Sequence, residues 1–126
     1  MVSATFVFKP GEYDDEFFSL GKAIEDSNMA NLDYLGKDSW PNAESRLQCV
    51  VYYYKSMKGV SDLRNIQAHR VAKSQYSKWY EGYQVIIAEI SRSYGYGSIQ
   101  HPTPTMDYYR KILPPHSAPN KVFNLT

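Results

Sequence analysis

Residues 46–56 read RLQCVVYYYKS, and the reading of this run decides the fold. It is rich in β-branched and aromatic residues, and it follows Pro41-Asn42-Ala43-Glu44-Ser45, the clearest turn in the chain. The run is therefore a strand. Leu47, Cys49, Val51 and Tyr53 fall on one face; Gln48, Val50, Tyr52 and Tyr54 fall on the other. Both sets are largely apolar, so whichever face lacks a helix still needs a cover.

Working outward toward the N-terminus, ATFVFK (Ala4–Lys9) alternates as a strand, with Phe6 and Phe8 opposite Thr5 and Val7, and Pro10-Gly11 stops it. In EYDDEFFSLGKAIEDSNMAN the period changes. Phe17, Leu20 and Ile24 recur at three and four, and the acidic opening Glu12–Glu16 suits the positive end of a helix dipole. Asn28 to Asn31 end that helix. LDYLGKDSW (Leu32–Trp40) then reads as a short strand bent or bulged at Gly36.

Toward the C-terminus, Val60, Leu63, Ile66, His69 or Arg70, Lys73, Tyr76 and Tyr80 step by three or four, which predicts a second helix over 59–80. YQVIIAEIS (Tyr83–Ser91) is the last strand. It is apolar on both sides at Val85–Ala88, which predicts that both of its faces are covered.

The order strand, helix, strand, strand, helix, strand predicts an α+β ferredoxin-like βαββαβ sandwich over residues 1–95. With both helices on one face, the other face of the sheet is too apolar to form a large water-facing patch. A homodimer with the sheets facing each other, closing a dimeric α/β barrel, is the simplest cover. Residues 96–126 form an extended, Pro-rich C-terminal tail. It is expected to pack on its own domain or on the partner subunit through Tyr108, Tyr109, Ile112, Leu113, Val122 and Phe123.

Composition narrows the class. The 126 residues carry 14 basic and 13 acidic side chains, a balance that argues against nucleic acid or a membrane surface as partner. No apolar run is long enough to span a bilayer, and MVSATFVFKPGEYDDEF lacks the basic start of a secretory signal. A single cysteine, Cys49, in a strand context fits a reduced, cytoplasmic protein. Twelve tyrosines suit a lined pocket or a subunit interface, although sheets also use tyrosine freely.

Two stretches carry a resemblance: VYYYKSMKGVSDLRN (51–65) and AHRVAKSQYSKWYEGYQVIIAEISRSYG (68–95). An aromatic-Lys-Ser strand end, a mid-helix His and a Trp-Tyr before the last strand resemble the antibiotic biosynthesis monooxygenase-like family of dimeric α/β barrels. Trp40, ending the second strand, adds to the likeness, which covers roughly residues 3–95. The resemblance implies either a small cofactor-independent monooxygenase-like enzyme acting on an aromatic or apolar molecule, or a non-catalytic binding module of the same fold. In such oxygenases the substrate carbanion itself reacts with oxygen.

His69 is the candidate base, since an imidazole near its ordinary pKa can withdraw a phenolic or enolic proton. Tyr76, two turns on, shares its side of a continuous helix, whereas Trp79 leans away. Trp40, Tyr53, Tyr76 and Trp79 are the candidate pocket residues. The plain alternative for Trp40, Tyr53, His69 and Trp79 is core packing and subunit contact, and His69 could equally cap a polar end of the helix-sheet contact through a hydrogen bond. Haem fits poorly, because the positions where the haem-degrading relatives carry Trp and His fall near Leu63 and Lys73. His69, His101 and His116 are too scattered for a metal site, and no phosphate-binding loop or nucleophile elbow is present.

Overall fold

A computed structural model describes residues 1–96 and 98–103 of the chain. The elements run β1 (Val2–Pro10), α1 (Asp15–Ala30), β2 (Tyr34–Pro41), β3 (Gln48–Tyr54), α2 (Met57–Asn65), α3 (Gln67–Ser74), α4 (Tyr76–Trp79) and β4 (Tyr80–Glu89). The strands form one antiparallel sheet in the order β2-β3-β1-β4. This is the expected ferredoxin-like layout. The tail contacts expected at Tyr108, Tyr109, Ile112, Leu113, Val122 and Phe123 lie outside the described residues.

Register assigns the faces. Phe6 stands between Val50 and Val85, and Ala4 between Tyr52 and Ile87. Directly opposed residues share a face, so Phe6, Phe8, Val50, Tyr52, Tyr54, Val85 and Ile87 look the same way. The helices lie on that side: Tyr54 donates its hydroxyl hydrogen to Asn28 Oδ1 on α1 at 2.8 Å, and the Phe6 ring stacks on Tyr76 of α4 at 5.6 Å. The second face carries Thr5, Val7, Cys49, Val51, Tyr53, Asp38, Trp40 and Ile86.

At its N-terminus α1 is capped by Asp14, whose Oδ1 accepts the Phe17 N–H at 2.9 Å. The acidic opening read from the sequence is thus a cap, not only a solvated helix start. In β2 the register shifts between Tyr34 and Gly36, which is the expected bulge. Gly36 takes a φ of 137°, a left-handed conformation that favours glycine, and a Cβ there would come within 2.9 Å of Pro102.

Two expectations are corrected. The helix expected over 59–80 is three helices, because Ile66 is extended (φ −73°, ψ 144°) and Gln75 leaves helical geometry (φ −117°, ψ 10°). Asn65 and β-branched Ile66 are weak helix formers at the first break. Strand β4 starts at Tyr80, three residues early, and in the single chain Val85 (48%), Ile86 (49%) and Ile87 (44%) stay half exposed. β4 is an edge strand, and an edge lacks the flanking neighbour that a central strand has.

Candidate functional site

The helix side of the sheet holds a continuous aromatic layer. Tyr76 stacks on Phe6 and meets Tyr80 at 5.5 Å and Tyr83 at 5.1 Å, edge to face. Trp79 is 1% exposed, lies against Phe17 at 5.4 Å, and donates its indole N–H to Asp14 Oδ1 at 3.0 Å. The Trp79 carbonyl accepts the Gly11 N–H at 2.7 Å. Asp14 therefore caps α1 and anchors Trp79 with one oxygen, while Lys78 pairs with the other at 3.0 Å. The Phe17 N–H foremost, then Lys78 and Trp79, hold its carboxyl down at about 2.

His69 sits on α3 on the same side. It is partly buried, and its Nδ1 has no hydrogen-bond partner among the described residues. Burial, seconded by the charge of Lys73, lowers its pKa below the ordinary 6.5. The ring is thus neutral at pH 7, the form that can accept a proton. The break at Gln75 removes the unbroken i+7 spacing that would have aligned His69 with Tyr76.

Tyr53 and Trp40 lie on the second face. Tyr53 donates its hydroxyl hydrogen to Asp38 Oδ2 at 3.1 Å, and burial foremost, with that bond, pushes its pKa up to about 12. Asp38 Oδ2 also meets His101 Nε2, and the His101 ring stands edge-on to Tyr53 at 5.0 Å. His101 Nδ1 accepts the Thr103 N–H at 3.1 Å, and Thr103 Oγ1 lies 2.7 Å from Ser93 Oγ. This chain of polar contacts straps the start of the tail across one end of the second face. Trp40, 61% exposed, occupies the other end.

The five residues singled out from the sequence thus form two groups, His69 with Tyr76 and Trp79 on the helix side, Trp40 with Tyr53 behind the sheet. Tyr52 was not singled out, although strand parity puts it opposite Tyr53 and hence under the helices. Burial foremost, with Glu25, Tyr34 and Tyr76 nearby, pushes its pKa up to about 12. Asn28 was missed too, since a polar residue at a helix end reads as solvent-facing; it is 1% exposed. Among the described residues, no group of three or more His, Cys, Asp or Glu is placed to hold a metal ion, and no helix is long and apolar enough to cross a membrane.

No protein-family model matches the sequence, and no curated protein matches it. Solved structures share its architecture. Rv0793 from Mycobacterium tuberculosis superimposes with a TM-score of 0.58 at 14% identity, covering 73% of this chain and 96% of that one. A Nitrosomonas europaea protein assigned provisionally as an antibiotic biosynthesis monooxygenase gives 0.55 at 12%, covering 72% and 99%. SnoaB, a cofactor-independent oxygenase from Streptomyces nogalater, gives 0.57 at 5%, covering 73% and 94%. In fold, therefore, this chain is similar to structures of the antibiotic biosynthesis monooxygenases, as its sequence resemblance implies.

Proposed function

We propose that the chain is a small monooxygenase-like enzyme that acts without metal or organic cofactor on an aromatic or otherwise apolar molecule, with His69 as its base. The observation that carries this reading is the His69 ring itself, held neutral by burial with Nδ1 unengaged by any group of the described residues. His69 takes a phenolic or enolic proton from the substrate. The carbanion form adds dioxygen, the oxidant, to give a peroxide anion; the proton held by His69 returns to it, and the resulting hydroperoxide loses water to leave a carbonyl. Tyr76 and Trp79 shape the helix side. Trp40 and Tyr53 belong to the sheet's second face, where a second copy of the chain completes the barrel of a cytosolic homodimer.

Oxygen uptake with quinol-like substrates tests the chemistry. His69→Ala should abolish uptake while leaving the circular dichroism spectrum unchanged, and the acid limb of the wild-type rate profile should fall below pH 6.5. Unchanged uptake in His69→Ala excludes the histidine as the base. Sedimentation at micromolar concentration tests the dimer, since a monomer there removes the barrel. A specific observation favours the second reading, a binding module without turnover: Phe6, Tyr76, Tyr80 and Tyr83 fill much of the space between sheet and helices with the protein's own rings.

A further inference from the structure

The turn between β2 and β3 connects two strands and does one thing more. Arg46 takes a φ of 63°, and among the described residues it is the one residue other than glycine in the left-handed region. That region crowds a Cβ and suits glycine. The turn holds Arg46 there. Asn42 N–H donates to the Leu47 carbonyl at 2.8 Å, and Arg46 N–H donates to the Asn42 carbonyl at 3.0 Å. Asn42 Oδ1 also accepts the Glu44 and Ser45 N–H groups, each at 3.0 Å. None of these bonds uses the arginine side chain, so a glycine would make the same turn with less strain. Backbone strain gathers where a side chain has a task.

Arg46 lines a groove of about 420 Å³, where β1 ends, β2 turns into β3 and β4 begins. That volume lies within the usual range of small-molecule sites, about 300–1000 Å³. Its charges do not cancel. Lys9 and Arg46 are the two cations that line it, and Glu81 is the one carboxylate. Glu81 is already taken, since its Oε2 pairs with Lys9 Nζ at 3.1 Å. Arg46 therefore carries the surplus charge, on a planar fork of N–H donors that grips a carboxylate with two parallel bonds. Pro10, Pro41 and Ala43 give the same groove an apolar wall. Arg46, Pro41 and Ala43 are exposed in the single chain, so a molecule reaches them directly from solvent.

We infer that this groove binds a small organic carboxylate, its oxygens held by the Arg46 guanidinium and its apolar body laid against Pro10, Pro41 and Ala43. The inference does not rest on His69, and it holds whether or not the protein turns over a substrate.

Benzoate, benzamide and acetate test it on the full chain. Benzamide keeps the ring and loses the charge; acetate keeps the charge and loses the ring. In ¹H–¹⁵N spectra, benzoate should shift the backbone amides of Ala43 and Arg46 saturably. Benzamide should bind about tenfold more weakly, the effect of one hydrogen bond to a charged group, and acetate about tenfold more weakly for want of apolar contact. Arg46→Gly should lower benzoate affinity about tenfold and yet raise the melting temperature, because it removes the guanidinium and the strain together. Equal binding of benzoate and either control, or of benzoate to wild type and Arg46→Gly, overturns the proposal. So does a lower melting temperature for Arg46→Gly, which would make the arginine a structural residue of the turn.

Discussion

At one end of α1, Trp79 is 1% exposed and its indole N–H is donated to Asp14; at the other, Asn28 is equally buried and its amide nitrogen donates to nothing among the described residues. The two ends are made alike, from an aromatic ring beneath the helix and a short polar side chain on or beside it. They differ in saturation. Asp14 serves the Phe17 N–H, the Trp79 ring and the Lys78 ammonium at once, so the start of α1 is tied to the start of β4. Asn28 and Tyr54 satisfy one bond between them and leave a donor over. A saturated polar knot inside a protein stabilises and specifies; an unsaturated one destabilises until something else supplies the partner.

The largest expected effect comes from breaking the saturated end. Trp79→Ala removes the largest fully buried side chain among the described residues and leaves Asp14 without its indole partner. Urea unfolding should show a loss of about 3–5 kcal/mol. A loss under about 1 kcal/mol would mean that this end collapses freely and does not anchor the layer.

The unsaturated end should respond more weakly and less additively. Tyr54→Phe leaves the Asn28 oxygen as well as its nitrogen without a partner among the described residues, and should cost about 1–3 kcal/mol. Adding Asn28→Leu replaces the remaining buried polar group with an apolar one, so the double variant should be more stable than the sum of the single effects predicts. Strict additivity in the double-mutant cycle would show that the two side chains do not act as a pair.

Much of the fold was legible because strands and helices declare themselves by period. Alternation at Phe6 and Phe8 and the spacing of Phe17, Leu20 and Ile24 set β1 and α1, and Gly36 marked a bulge that only glycine relieves. The breaks at Ile66 and Gln75 were not legible, since the apolar spacing continues straight through both. Half of the candidate site followed from parity, which splits Tyr53 from Tyr52 and Tyr54 without saying which set lies under the helices. Asn28 was illegible for a different reason: burial of an asparagine depends on Tyr54 and Gly59, each more than 25 residues away.

The smallest effect belongs to His69, and its sign can be worked out. The unfolded chain binds a proton at the imidazole near pH 6.5, whereas the folded chain, with the ring buried and Lys73 nearby, binds it only at lower pH. Between those two values the unfolded state holds more protons, so stability falls as pH drops from 6.5 through the folded pKa, and then levels. The carboxylates act lower. Asp14 contributes stability that is present above its unfolded 3.8 and lost as pH falls through about 2. The two windows are therefore separable in one series of melting curves. His69→Gln should flatten the upper step and leave the acid step in place. If wild type and His69→Gln melt in parallel from pH 7.5 down to pH 5, the imidazole is not desolvated in the folded chain, and the neutral base on which the proposed chemistry depends is lost with it.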